Sequence, residues 1–276
     1  MKKERSPASK PGAQFNIRGM SHVPVSIADR IRIVLVGTQH PGNLGSAARA
    51  MRTMGLTRMV LVAPEKAPNL DTTSMAAGAE ALVFDAPVFP TLEDAVADCR
   101  LVLGCTARSR RIALEELSPR DAAARAVKAA TAQGDVALVF GRERTGLDNH
   151  ELQLCHAAVH IPSDPEFSSL NLAAAVQVLA YEARVALLDA AERPVMPVDE
   201  PIEPPASHAE LEGFFTQLSD TLEAIDFHKG RTPESAERKL RRIFLRAEMN
   251  AREVRLMRGV LADAQRMARL ANEPGP

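Results

Sequence analysis

Aromatic residues and cysteine are scarce in this sequence. Its 276 residues include nine Phe, one Tyr and no Trp, which argues against binding of single-stranded nucleic acid by base stacking. The three cysteines, Cys99, Cys105 and Cys155, are odd in number and lack CxxC spacing. A disulfide framework and a zinc knuckle are therefore both disfavoured. We expect three reduced thiols.

Long apolar runs are also missing. No run approaches the roughly 18–20 residues that a transmembrane helix needs, and the first residues show no apolar segment of a signal peptide. We therefore expect a cytoplasmic protein with no membrane partner. Four histidines near Cys155 or the first glycines, namely His40, His150, His156 and His160, match no common zinc spacing. We expect no metal.

Positive charge is concentrated at the two ends of the chain. Residues 1–23 hold five Lys or Arg against one acid, and residues 229–269 hold twelve against five, whereas residues 24–228 hold 17 basic and 28 acidic side chains. The formal net charge of -1 conceals this segregation. Basic ends on an acidic body favour attraction to a phosphate backbone, although solvated basic helix faces are also common on ordinary surfaces.

The middle of the chain alternates short apolar runs with helical periodicity, which is typical of a parallel α/β sheet flanked by helices. The predicted strands are Ile31–Val36, Met59–Val62, Ala81–Phe84, Leu101–Leu103, Val136–Phe140 and Val159–Ile161. The predicted helices are Leu44–Met54, Leu92–Asp98, Pro119–Ala130 and Leu170–Leu188, then Leu211–Ile225, Glu234–Ala247 and Arg252–Leu270. Glycine follows three strands, at Gly37, Gly104 and Gly141, which predicts one shared crevice at the strand ends.

Composition divides the chain into four predicted parts. Residues 1–24 are read as a disordered basic tail, and residues 25–190 as the α/β domain. Residues 191–206 contain five prolines and are read as a linker. Residues 207–270 are predicted to form a small, basic, all-α domain suited to contacting a phosphate backbone.

Four stretches combine glycine, polar and charged residues at predicted strand or helix ends. The first, GTQHPGNLGSAARAMR (37–52), places two glycines around Asn43 before an alanine-rich helix, where backbone N–H groups can face an anion or polar ligand. Arg49 within that helix could reach a phosphate or a developing oxyanion, or could simply face solvent. The others are GCTARSRR (104–111), VALVFGRERTGL (136–147) and IPSDPEFSSLN (161–171). None is a GxGxxG or a P-loop, so a Rossmann dehydrogenase and an NTPase are disfavoured.

In this order and spacing, the stretches resemble the motifs of the SpoU/TrmH class of SPOUT RNA methyltransferases. IRIVLVGTQHPGNLGSAARAMRTMGL resembles the first motif of the class, VALVFGRERTGL the second and IPSDPEFSSLNLAAAVQVLAYE the third. The resemblance runs from about Ile31 to Leu188 and continues weakly into the helical tail. It implies a SPOUT fold with a C-terminal trefoil knot that holds S-adenosylmethionine, and a homodimer. General topology rules alone would disfavour a knot.

The resemblance also implies roles for particular residues. Arg49 would be the catalytic arginine, with Asn43, Glu143, Ser169 and Asn171 in support, and it would face the partner subunit's cofactor. Cysteine stands at position 105, where the class is expected to have Thr or Ser. The cofactor would be held largely by backbone groups of Cys105, Thr106, Ala107, Gly141, Ile161, Ser168, Ser169 and Leu170.

The implied reaction is methylation of a ribose 2′-hydroxyl in tRNA, at nucleotide 32, a C or U of the anticodon loop. Because a guanidinium does not lose its proton in a protein, we expect Arg49 to orient the hydroxyl and stabilise the alkoxide. Water, a phosphate oxygen or Glu143 would then accept the proton. Two alternatives stay open: another RNA target, such as ribosomal RNA or a different tRNA position, and an RNA-binding relative without catalytic activity.

Overall fold

The computed structural model describes residues 25–107, 114–132, 134–192, 205–230 and 232–272. The predicted tail (1–24), most of the predicted linker (193–204) and the second half of GCTARSRR (108–111) lie outside the described residues.

The described chain alternates strands and helices up to residue 192 and is helical beyond residue 207. The first half comprises α1 (Val25–Ala28), β1 (Ile31–Val36), α2 (Pro41–Thr53), β2 (Arg58–Val62), α3 (Leu70–Ala76), α4 (Ala81–Phe84), β3 (Val88–Phe89), α5 (Leu92–Val96) and β4 (Cys99–Cys105). The second half comprises β5 (Glu115–Leu117), α6 (Pro119–Thr131), β6 (Asp135–Phe140), α7 (Asn149–Gln153), β7 (Ala157–Val159), α8 (Leu172–Glu192), α9 (His208–Ala224), α10 (Pro233–Arg246) and α11 (Ala251–Asn272).

The strands form a seven-stranded sheet in the order β3-β2-β1-β6-β4-β7-β5, and every pairing is parallel. β1 is buried along its whole length because helices cover both faces. Successive side chains, such as those of Ile33 and Val34, enter two different apolar clusters on opposite sides of the sheet. One face packs against α2, α6 and α8 and the other against α5 and α7. The predicted parallel sheet flanked by helices is confirmed.

β7 enters the sheet between two strands that are consecutive in sequence. Ala158 of β7 pairs with Gly104 of β4 on one side and with Glu116 of β5 on the other. The chain therefore passes back between β4 and β5 after β6 has formed on the far side of β4. This order brings the ends of β4, β6 and β7 to one edge.

Several strand predictions were wrong or displaced. Ala81–Phe84 is helical, because Phe84 N donates to the Glu80 carbonyl and the preceding residues already turn. A four-residue apolar run has no periodicity that could separate the two structures. The last strand is Ala157–Val159 and not Val159–Ile161. Gly104 lies inside β4 and does not follow it, because β4 is longer than the apolar run at its centre.

The three C-terminal helices enclose their own apolar cluster, with Phe214 fully buried at its centre. Their positions confirm the three helices predicted in this region. They contact the sheet unit through an ion pair between Arg100 and Glu210 at 3.2 Å and a backbone hydrogen bond from Ala209 N to the Ala97 carbonyl at 3.1 Å. Across the described ranges, no helix has the length and apolarity required to span a bilayer.

Candidate active site

A cleft opens at the carboxyl ends of β4, β6 and β7. The chain reaches it in three separate loops, because parallel strands all finish at the same edge of the sheet. Phe140, Leu172 and Ala175 give it apolar walls. All eight residues predicted to hold the cofactor line it: Cys105, Thr106, Ala107, Gly141, Ile161, Ser168, Ser169 and Leu170.

The loop after β6 is a tight turn held by its own backbone. Gly146 N donates to the Arg142 carbonyl at 2.8 Å, and Gly146 adopts a left-handed φ of 69°. A Cβ at Gly141 would overlap the backbone of Gly146 and Leu147. Only glycine therefore fits at position 141 of this turn.

Four further residues of this turn line the cleft, and the sequence analysis did not assign them. They are Arg142, Arg144, Thr145 and Gly146. The available signal was their place in VALVFGRERTGL, directly beside Gly141. The Arg142 guanidinium pairs with Glu151 at 3.0 Å, so it anchors the turn to α7.

Glu143 holds the approach to α2 through both carboxylate oxygens. Its Oε2 accepts from Gln39 N at 2.9 Å, and its Oε1 accepts from His40 N at 3.1 Å. The same Oε1 accepts from Asn43 Nδ2 at 3.0 Å. A carboxylate from the β6 loop thus fixes the first turn of a helix more than a hundred residues earlier in sequence.

Asn43 continues this chain of hydrogen bonds to α8. Its Oδ1 accepts from Asn171 Nδ2 at 3.0 Å, and Asn171 Oδ1 accepts from Ala173 N at 2.9 Å. Asn171 therefore caps the first turn of α8. Three of the predicted supporting residues, Asn43, Glu143 and Asn171, form one connected network, whereas Ser169 lies in the cleft wall.

The network determines the charge of Glu143. Burial disfavours its ionised form, but the hydrogen bonds from Asn43 and from the backbone of Gln39 and His40 outweigh burial and lower the Glu143 pKa. The side chain is therefore a carboxylate at neutral pH whose lone pairs are already engaged. It is a weak base, which disfavours the expectation that Glu143 accepts a proton.

Arg49 is exposed on α2 and does not line the cleft of its own chain. Within the described residues, no hydrogen bond or ion pair engages its guanidinium. Gly42, Ser46 and Thr53 lie on the same helix face at spacings of three or four residues. The structure thus separates the predicted catalytic arginine from the predicted cofactor residues.

Cys105 contributes a thiol to the cleft wall, and burial raises its pKa to about 12. The group is therefore protonated and poorly nucleophilic at neutral pH, because the thiolate is the reactive form. Its neighbours supply no metal site either: in the described part of the chain, no three His, Cys, Asp or Glu residues are grouped to hold a metal ion.

Comparison with protein-family models identifies the family of the α/β part of the chain. The model described as the SpoU rRNA Methylase family matches residues 30–181, more than half of the 276 residues. The chain belongs to the SpoU methylase family. All the segments that line the cleft fall inside the matched range, which confirms the resemblance carried by the three motifs.

Individual relatives extend the similarity over both parts of the chain. A protein of Pseudomonas aeruginosa (strain UCBPP-PA14) named tRNA (cytidine/uridine/adenosine-2′-O-)-methyltransferase TrmJ is 47% identical over 248 residues, which cover 87% of this chain and 96% of that protein. The crystal structure of TrmJ from Z. mobilis ZM4 matches with a TM-score of 0.70 and 35% identity, covering 84% of this chain and 97% of that one.

Two further matches are to a solved structure and to a second family model. A probable methylase family protein from Haemophilus influenzae Rd KW20 has a TM-score of 0.57 at 36% identity, covering 89% of this chain and 100% of that one. A second family model, for the C-terminal domain of tRNA methyltransferase TrmJ, matches residues 209–273. That range contains nearly all of α9 and the whole of α10 and α11.

Proposed function

We propose that this protein transfers a methyl group from S-adenosylmethionine to a ribose 2′-hydroxyl of tRNA, at nucleotide 32 (C or U) of the anticodon loop. The observation that carries the proposal is the meeting of the three SpoU-family loops at one cleft. The tRNA substrate is supported by the names of relatives that match both parts of the chain. The nucleotide follows from the resemblance of the motifs.

The cleft suits S-adenosylmethionine by its chemistry. Ile161 and Leu172 offer apolar surface to a purine ring, and Thr106, Ser168 and Ser169 add polar residues to the lining. A thiolate at Cys105 would attack a sulfonium methyl group, and burial keeps this thiol protonated. When bound, the cofactor supplies an electrophilic methyl group, so the residues of the chain need only position the hydroxyl and stabilise charge on its oxygen.

Arg49 is the proposed group that stabilises the developing alkoxide. A guanidinium keeps its proton and can donate two parallel hydrogen bonds to oxygen. Glu143 and Asn43 act as positioning residues, because they fix the start of the helix that carries Arg49. Since the Glu143 carboxylate already accepts three hydrogen bonds, water or a phosphate oxygen of the RNA takes the proton.

Arg49 acts in this proposal across a homodimer. Its exposed position outside the cleft of its own chain supports this arrangement. Exposed apolar side chains near the cleft mouth and on α8, including Phe167 at 83% and Tyr181 at 54% relative exposure, give a second copy surface to cover.

The first test is methyl transfer from labelled S-adenosylmethionine to tRNA and, separately, to ribosomal RNA. Arg49→Ala should abolish transfer to tRNA, since removal of one donor from a developing oxyanion costs about 10²–10³-fold in rate. Arg52→Ala is the matched control, because Arg52 is also exposed on α2 and lies three residues further along. Label on ribosomal RNA alone would support the proposed methyl transfer but would exclude tRNA as the substrate. No label on either RNA would favour the alternative that the protein binds RNA without catalytic activity.

A mixing experiment tests whether Arg49 acts in trans. Ser169→Trp should obstruct the cleft from an exposed loop, leaving Arg49 intact. If the two inactive variants are refolded together at equal amounts, about half of the dimers carry one of each, and each of these has one complete site. Activity should return to about a quarter of wild type, given unbiased dimer pairing. An Arg49 that acts within its own chain would leave the mixture inactive.

The trefoil knot is also part of this proposal. Entry of β7 between β4 and β5 supports it, because the chain after β6 must then pass the connection that joins those two strands. Pulling both chain ends in an optical trap tests it. A knotted chain tightens and stops short of its full contour length, whereas an unknotted chain reaches that length.

The C-terminal helices are proposed to bind the tRNA. Residues 229–269 hold twelve Lys or Arg against five acids, and counterion release from phosphates would make this binding depend on salt. Truncation after α8 should therefore weaken tRNA binding more than it weakens binding of S-adenosylmethionine, which can be measured by calorimetry with each ligand. Equal loss of both would contradict this division of roles.

A further inference from the structure

We propose that a crevice between α10 and the outer edge of the sheet binds a backbone phosphate of the RNA substrate, an inference that rests on the proposed function. Five arginines and one histidine that line this arginine crevice carry the argument: Arg125, Arg238, Arg241, Arg242, Arg246 and His156. They come from α6, from α10 and from the residue before β7, so both parts of the chain contribute.

Two of the five arginines hold the parts of the chain together. Arg125 pairs with Glu115 at 2.9 Å and with Glu248 at 3.2 Å. Arg241 pairs with Glu212 and donates to the Gln153 carbonyl at 3.0 Å. Carboxylates thus already compensate these two charges, and their side chains shape the crevice.

The other three arginines form a row along α10 without carboxylate partners. Arg238, Arg242 and Arg246 follow one another at intervals of four residues, about 6 Å along the helix axis. Arg238 Nε donates to the Glu234 carbonyl at 3.1 Å, and no described residue pairs with Arg242 or Arg246. Like charges at this spacing repel one another, so the row is best satisfied by an anion from outside the chain.

His156 lines the crevice and carries a hydrogen-bond donor without a partner among the described residues. Its Nδ1 accepts from Val102 N at 3.1 Å, which places the proton of the neutral ring on Nε2. That Nε2 is buried and has no partner among the described residues. Burial of the ring lowers the His156 pKa to about 3, so the ring is neutral. The neutral ring therefore adds no charge to the crevice, whose positive charge comes from the arginines.

The lining distinguishes a backbone phosphate from a free nucleotide. Leu114 and Leu245 supply the apolar part of the wall, and no Phe, Tyr or Trp is among the described lining residues. A mononucleotide site normally offers a surface for the base to stack on. The arginine crevice offers charge without such a surface, which fits a phosphate presented by a longer strand.

The arginine crevice lies close enough to the cleft for one RNA to occupy both. His156 in the crevice and Ile161 in the cleft flank β7 and are five residues apart. Five extended residues span about 17 Å. A folded RNA with its target ribose in the cleft could therefore place a neighbouring phosphate on α10.

The test measures tRNA affinity of the full-length protein as a function of salt. Arg242→Gln and Arg246→Gln should each lower the slope of log affinity against log salt by about 1, because each removes one phosphate contact. Arg120→Gln is the control, because Arg120 is an exposed arginine on α6 outside both the crevice and the basic C-terminal helices. The KM for tRNA should rise in the two crevice variants, while kcat and S-adenosylmethionine affinity stay at the wild-type value.

Each outcome decides between the alternatives. If both crevice variants keep the wild-type slope, or if Arg120→Gln changes it equally, the phosphate site is refuted while the proposed function stands. A wild-type protein that neither binds nor methylates tRNA would refute both the phosphate site and the proposed function. The last arm is a titration with AMP: micromolar binding that Arg246→Gln abolishes would assign the crevice to a free nucleotide and overturn the backbone assignment.

Discussion

Replacing Glu143 with glutamine should destabilise the start of α2. The carboxylate accepts hydrogen bonds from Gln39 N, His40 N and Asn43 Nδ2 at 2.9–3.1 Å. A glutamine keeps one oxygen, but its NH2 group cannot accept from the donor that faces the other position. At least one charge-assisted hydrogen bond is lost, and such a bond contributes about 1.5–3 kcal/mol. We expect the free energy of unfolding to fall by about 2 kcal/mol.

Acidification should narrow the difference in the free energy of unfolding between wild type and Glu143→Gln. The folded-state pKa of Glu143 is below its usual value of 4.5, so the folded protein binds fewer protons than the unfolded chain at intermediate pH. The ionised side chain thus stabilises the fold fully above about pH 4.5, and this contribution is lost as pH falls through the lowered pKa. Asp135 and Glu210 also have lowered pKa values, but they are present in both proteins and cancel in the comparison.

The assay is urea denaturation of wild type and Glu143→Gln between pH 7 and pH 3. Glu65→Gln is the matched control, because Glu65 is a nearby exposed carboxylate that accepts one hydrogen bond, from Gln39 Nε2 at 3.1 Å. Substitutions of exposed residues such as this one change the free energy of unfolding by no more than about 0.5 kcal/mol. A Glu143→Gln protein as stable as the control at pH 7, or one whose stability deficit is unchanged at pH 3, would refute the role of Glu143 in fixing α2.

Three other predictions concern residues of the core and the cleft. Asp135→Asn should lower stability by about 1.5 kcal/mol in urea denaturation, because buried Arg32 loses a 2.7 Å ion pair but keeps its pair with Asp98; an unchanged stability would contradict this. Cys105 should react slowly with iodoacetamide at pH 8 until the protein unfolds, as followed by mass spectrometry, because burial raises its pKa to about 12. Gly141→Ala should abolish cofactor binding in calorimetry, since a Cβ there overlaps backbone atoms; unchanged affinity would show that the turn can move.

Burial on both faces explains which strands the sequence predicted well. β1 and β6 are runs of apolar residues buried along nearly their whole length, so composition alone identifies them. β5 is Glu115–Leu117, with two exposed glutamates. Its strand conformation comes from pairing with β7, and no local pattern encodes that pairing.

The residues of the candidate site were predictable from the sequence, but the hydrogen bonds between them were not. The motifs contained Asn43, Glu143 and Asn171, yet the hydrogen bonds that join these residues span 100 and 128 positions of sequence. Only the fold brings them together. The exposure of Arg49 was equally hidden, because a helix rich in alanine shows little apolar periodicity. Composition predicted a basic C-terminal region, whereas the arginine crevice also needs Arg125 and His156 from the sheet unit.

The measurement that tests the central claim most directly is nucleoside analysis of tRNA after incubation with the protein and S-adenosylmethionine. Digestion to nucleosides and mass spectrometry separate ribose methylation from base methylation, and fragments of the anticodon stem-loop locate the product. We predict 2′-O-methylcytidine or 2′-O-methyluridine at nucleotide 32, absent with Arg49→Ala and present with Arg52→Ala. A base-methylated product, or no methylated product with wild-type protein, would contradict the account.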